Sequence, residues 1–232
     1  MFWFDPSWWI FIGPAMLLSI YASIKVRTAY SRYSRVRASS GMSGAQAARR
    51  ILDMFGASDV RIEPVGGNLT DHYDPRSKTL RLSGGVYSDD SLAAVGVAAH
   101  EAGHALQHAQ GYAPLALRSA LVPAASLGSN LGIYLVIFGL ILRGLGGLSV
   151  LMMQVGIVLF AAAVAFTLIT LPVELNASKR AMQLLTTSGV ITSAEYQPVR
   201  KVLNAAALTY VAAAITAVMQ LIYLISLSER RR

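Results

Sequence analysis

The chain has 232 residues, 54% of them hydrophobic and only 14% charged, with a mean hydropathy of +0.50. That is too apolar for a soluble domain of this size and points to a mainly α integral membrane protein. The absence of cysteine excludes disulfides and cysteine-ligated zinc. The net charge of +8 is carried by basic residues crowded beside apolar runs, so the partner it implies is a lipid bilayer and not nucleic acid.

Four uncharged runs approach the roughly 20 residues needed to cross a bilayer: 8–24, 121–142, 148–171 and 205–227. The first opens with tryptophans, lacks a basic leader and is followed by cations, so it reads as a retained span and not a cleaved signal. This divides the chain into a first transmembrane helix (1–24), a polar domain (25–119), a transmembrane hairpin (120–171), a polar helix (172–204), and a fourth transmembrane helix with its tail (205–232).

Within the polar domain, "SGAQAARRILDMFG" (43–56) predicts a short helix with Ser43 as N-cap, Gln46 closing a capping box and Gly56 as the stop. The segments 60–65, 69–74 and 79–83, separated by turn-prone residues, predict a small antiparallel sheet with Pro64 on an edge. Asp89 or Asp90 is expected to cap a helix running to about Ala109 and ended by Gly111. After the third span, Pro172 suits either the first turn of a new helix or a kink in a continuing one.

The helix ending near Ala109 carries "AAHEAGHALQHA" (98–109), in which His100, Glu101 and His104 spell H-E-x-x-H. Two imidazoles one turn apart can chelate one Zn2+, with the glutamate held against a metal-activated water. Chance gives this spacing in a chain of this composition on the order of once in a thousand. His108 lies roughly 12 Å along the axis from His100 and about 80° around it. One ion held at about 2.0–2.1 Å by His100 and His104 therefore cannot reach it, and His108 is read as a polar neighbour of the site.

An open catalytic site needs a third ligand, for which His72 and Glu174 are the candidates. Spans two and three form a hairpin that returns the chain to the side bearing the motif, which favours Glu174. Ser178, one turn further on, shares its helix face and could hydrogen-bond a ligand histidine.

"DHYDPRSKTLRLS" (71–83), "AAHEAGHALQHA" (98–109) and "LPVELNASKRA" (171–181), in this order and with a membrane hairpin between the last two, resemble the YugP-like neutral zinc metallopeptidases. The resemblance covers nearly the whole chain. More distantly, the chain is similar to HtpX-type and CaaX prenyl proteases, which are membrane gluzincins. It implies a zincin-like α+β domain beside about four transmembrane helices, His100, His104 and Glu174 as zinc ligands, and Glu101 as the catalytic carboxylate. The gluzincin pattern usually carries an acidic residue four positions after the ligand glutamate, where this chain has Ser178.

The function expected is a zinc-dependent endopeptidase acting near the membrane surface on protein or peptide substrates, themselves membrane-associated. His72 and Tyr73, on a strand edge that could pair with an extended substrate, are candidates for oxyanion stabilisation. Two competing readings are a zinc hydrolase of a non-peptide amide and a catalytically idle zinc-binding scaffold. A transporter is disfavoured because no run carries a charge in mid-membrane. Nine cations (Lys25, Arg27, Arg32, Arg35, Arg37, Lys179, Arg180, Arg200 and Lys201) flank the spans on the catalytic side. By the positive-inside rule they outweigh the opposing "ERRR" at 229–232. The expected location is a bacterial plasma membrane with the catalytic side cytoplasmic. A homo-oligomer or a regulatory membrane partner is compatible with this arrangement.

Overall fold

A computed structural model describes residues 6–230; residues 1–5 of the first predicted span and 231–232 of the basic tail lie outside the described residues. In chain order the elements are α1 (Pro6–Tyr33), α2 (Gly44–Met54), β1 (Arg61–Val65), β2 (His72–Asp74), β3 (Thr79–Ser83), α3 (Gly84–Tyr87), α4 (Leu92–Ala109), α5 (Ala113–Ile141), α6 (Gly147–Thr187) and α7 (Ser193–Glu229). Among them α1, α5, α6 and α7 are long and apolar enough to cross a membrane, and each begins before the apolar run that announced it. Pro172 lies inside α6, which continues through it as one helix.

The chain divides into two compact units. One takes in the described parts of Met1–Tyr21, Ala116–Pro172 and Thr209–Arg232. Its core joins Val136, Leu140, Met153, Phe160, Tyr223 and Leu224, with Phe11 and Ile12 packed against them. Its α5–α6 hairpin is close-packed. A Cβ on Gly156 would lie 2.6 Å from the Gly132 carbonyl oxygen, and one on Gly132 would lie 2.8 Å from that of Gly156. Small residues let helix backbones approach in this way where lipid offers no hydrophobic drive between them.

The other unit is Ala22–Leu115 with Val173–Leu208. Its central element is α4, whose alanines and glycines are buried along most of its length. Side chains this small let neighbouring backbones come close, and α2 does so at Gly44, where a Cβ would lie 3.2 Å from both the Ala94 carbonyl oxygen and the Ala98 Cβ. The capping box on α2 is present in both directions: the Gln46 N–H donates to Ser43 Oγ at 3.3 Å and the Ser43 N–H to Gln46 Oε1 at 2.9 Å. Gly56 follows the helix end at φ +80°, a conformation that suits glycine.

The sheet has three strands, as expected, but it is mixed. Its order is β1-β3-β2, with β1 parallel to β3 and β2 antiparallel to it. The strand directions are those of a simple meander; only the neighbours change. Leu80 and Leu82 of β3 are fully buried, so β3 takes the centre, while the short polar β2 takes an edge. Pro64 sits on the other edge, where its missing N–H costs no ladder bond.

The N-cap of α4 is also corrected. Ser91, not Asp89 or Asp90, accepts from the Ala94 N–H at 3.2 Å. Asp90 is held by Arg37, and Asp89 accepts from the Ser91 N–H. At the other end Gly111 takes φ +64° and closes the helix as expected.

Candidate metal centre

Helix α4 presents His100 and His104 on one face, a turn apart, with ring centroids 4.8 Å from each other. Helix α6, just beyond the apolar run 148–171, presents Glu174 and Ser178 in the same way. The two faces meet where α4 has no side chain: a Cβ on Gly103 would stand 2.9 Å from the Ala177 carbonyl oxygen.

Glu174 Oε2 lies 3.1 Å from His100 Nε2 and 3.4 Å from His104 Nε2, and one ligand atom from each of the three residues falls within 4.8 Å of the others. A tetrahedral zinc at about 2.0–2.1 Å sets its ligand atoms roughly 3.3–3.4 Å apart, a spacing that the two Glu174–histidine separations approach, and the donor types are those zinc takes. The rest of each imidazole fits as well. His100 Nδ1 is 3.2 Å from Ser178 Oγ, and His104 Nδ1 lies 3.0 Å from Gln107 Oε1. Both Nε2 atoms are thereby left for the shared point, the arrangement that metal-ligating histidines adopt.

Electrostatics agree with this geometry. Glu174 is 2% exposed, and burial alone would raise its pKa. The His100 and His104 rings beside it outweigh that and hold the carboxyl well below the usual carboxylate range. Burial would likewise lower the pKa of His104, but Glu174 and Glu101 beside it raise it.

Glu101 is buried next to His104, which feels its charge. Among the described residues its carboxylate has no hydrogen-bond partner. His72 and His108 stay outside the cluster. His72 Nδ1 bonds the Thr70 carbonyl at 2.8 Å on the exposed edge strand, and His108 Nδ1 meets the Tyr73 hydroxyl at 2.9 Å. Burial, followed by the charges of Asp59 and Asp74, pushes the Tyr73 phenol up to about 12. Among the described residues His100, His104 and Glu174 form the one group of this kind with metal-ligand spacing.

Three further polar residues adjoin this site: Gln107 and Asn176, which the motif does not announce, and Arg180, expected only as a cation flanking a span. Gln107 is fully buried and donates from Nε2 to the Val173 carbonyl and to Asn176 Oδ1, both at 2.9 Å. Arg180 Nε donates to the same Asn176 oxygen at 2.7 Å. The available signal was spacing: Gln107 stands three residues after His104, within reach of its ring on a helix.

No solved structure matches the chain. A protein of Bacillus subtilis (strain 168) named "Putative membrane protease YugP" is 49% identical over 214 residues, which cover 92% of this chain and 93% of that protein. The family model described as "Putative neutral zinc metallopeptidase" matches residues 8–229. With nearly the full length matched in both comparisons, the chain belongs to this neutral zinc metallopeptidase family.

Proposed function

We propose that the chain is a membrane endopeptidase of gluzincin type, in which His100, His104 and Glu174 hold zinc and Glu101 is the general base. The observation that carries this reading is the convergence of two Nε2 atoms and one carboxylate oxygen beside a buried carboxylate that has no hydrogen-bond partner among the described residues. A glutamate tied to an arginine or a backbone amide would be a structural residue. One left open at this position is available to water.

Zinc bound by these three residues supplies Lewis-acid polarisation of the scissile carbonyl and acidifies water. Glu101 takes a proton from the attacking water and delivers it to the departing amine nitrogen as the C–N bond breaks. Glu174, already ionised, brings one negative charge to the cation, and Ser178 orients the His100 ring. On the edge strand β2, Tyr73 would supply a hydroxyl to an extended substrate, with His108 as its partner and His72 beside it.

Glu174 follows the apolar run 148–171 by three residues, about 4.5 Å of helix rise. The substrates proposed are accordingly membrane proteins, or unfolded segments close to a bilayer. The cations flanking the spans favour a cytoplasmic catalytic side. The test is Glu101→Gln in the full chain. Hydrolysis of unfolded casein should be lost while zinc stays near one per chain, and retained hydrolysis would refute the mechanism.

A further inference from the structure

We propose that Gln107, oriented by Asn176 and Arg180, is a positioning residue that locks His104 in the Nδ1–H tautomer and so presents its Nε2 lone pair to the metal. The inference rests on the zinc-site reading above and deepens it.

The argument starts at the far end of the chain of bonds. An arginine guanidinium has donors only. The group it meets at 2.7 Å on Asn176 must therefore be the oxygen and not the amide nitrogen. A second N–H of Arg180 is occupied by Gln110 Oε1, which holds the guanidinium in place. The Asn176 oxygen also lies 2.9 Å from the Gln107 amide, and so does the Val173 carbonyl oxygen, a group that can only accept.

Two acceptors against one end of the Gln107 amide require that end to be the NH2. The other end is then the carbonyl, and it is the end that meets His104 Nδ1 at 3.0 Å. A carbonyl cannot donate, so Nδ1 carries the proton. In the neutral ring the lone pair is thereby confined to Nε2, the atom that faces Glu174 Oε2. Turning the Gln107 amide over would set its NH2 against the imidazole and its oxygen against two other oxygens. That would happen in a fully buried position where no water can compensate.

His100 has no such lock, because the partner of its Nδ1 is the Ser178 hydroxyl, which can donate or accept. The same amide also joins the two ligand-bearing helices. Gln107 belongs to α4, and its two acceptors flank Glu174 on α6, so one side chain fixes the tautomer of one ligand and grips the turn that carries another.

The experiment uses the full chain in detergent with zinc alone as the probe. Affinity is measured against a chromophoric chelator, the ligand field is read from the visible spectrum of the cobalt-substituted protein, and thermal unfolding is followed without metal. Gln107→Met keeps the volume and removes the acceptor; it should bind zinc about 10–100-fold more weakly, with an altered cobalt spectrum.

Asn176→Asp keeps an acceptor for both Gln107 and Arg180 and should stay within about 3-fold of wild type, whereas Asn176→Leu should lose about 10-fold. The two should unfold at similar temperatures without metal. Wild-type affinity in Gln107→Met, or equal weakening by Asp and Leu at 176, would overturn the proposal. If Gln107→Met does not fold, the pair at 176 decides. Failure of the wild-type chain to bind zinc is a different result, which removes the metal site itself.

Discussion

Replacing Gly103 with alanine should weaken the proposed metal centre without touching a proposed ligand. The added Cβ would stand 2.9 Å from the Ala177 carbonyl oxygen and 3.5 Å from its Cα, where ordinary contact begins at 3.4 Å. The obstacle is helix backbone and cannot rotate away, so α4 and α6 must separate by about 0.5 Å, an overpacking shift. Gly103 lies between His100 and His104, and Ala177 lies between Glu174 and Ser178. The separation therefore acts directly on the 3.1 Å and 3.4 Å distances that join the helices. Zinc sites tolerate about 0.2 Å in each ligand distance, so the displacement exceeds what the ion accepts.

We expect Gly103→Ala to bind zinc ~10–100-fold more weakly, or about 1.4–2.7 kcal/mol. In the metal-free protein an overpacking cost of about 1–3 kcal/mol is partly offset by alanine's better helix propensity, worth about 1 kcal/mol. Chelator competition and a metal-free thermal melt separate the two effects. Gly96→Ala is the control on the same helix: its Cβ would meet only the Val199 Cγ1 atom, at 3.1 Å, and a side chain can yield. Wild-type zinc affinity in Gly103→Ala would refute the idea that helix separation sets this geometry.

Two other regions give checks of their own. Gly156→Leu would drive a side chain into the Gly132 carbonyl and the Val136 amide nitrogen of the α5–α6 hairpin. It should destabilise that unit by at least about 1–3 kcal/mol, which thermal unfolding in detergent would read as a lowered midpoint; an unchanged midpoint contradicts the packing. Asp74 closes the turn before β3 by accepting from Ser77 Oγ, the Arg76 N–H and Arg81. The Ser77 hydrogen bond, then that of the Arg76 backbone, brings its pKa down to about 2 from an ordinary 3.8. A depressed carboxylate stabilises the fold above its unfolded pKa and loses that contribution as the pH falls through its folded one. Asp74→Asn should therefore flatten the acid dependence of stability between roughly pH 5 and pH 2, and an acid profile identical to wild type would count against this assignment.

What the sequence made legible follows from how local each cause is. The capping box of α2 needs residues three apart and came through with its partners correct. The four apolar runs needed only composition and length, and each, save Leu142 at the end of the second, is part of a long helix. The approach of Glu174 to His100 and His104, across more than seventy residues, could be anticipated because a hairpin of two spans has to return the chain to the side it left. Membrane topology supplied a long-range constraint of a kind a soluble chain rarely offers.

The misses share the opposite character. Which strand takes the middle of a three-stranded sheet depends on what covers it, and β3 wins because Leu80 and Leu82 are buried while β2 carries polar residues. At the start of α4, Asp89, Asp90 and Ser91 are all competent caps. Arg37, from another part of the chain, removes Asp90 from the contest by pairing with it.

Gln107 is the sharpest case. Alone on a helix, an amide three residues after a histidine is ambiguous, since either of its ends could face the ring. Asn176, 69 residues away, meets its nitrogen, and Arg180 fixes Asn176 in turn. Only that sequence of one-way hydrogen bonds gives the amide a direction, and with it the histidine a tautomer. A motif announces candidate ligands such as His100 and His104 because their spacing on one helix is local, but the groups that orient such rings are recruited from wherever the fold brings a complementary donor.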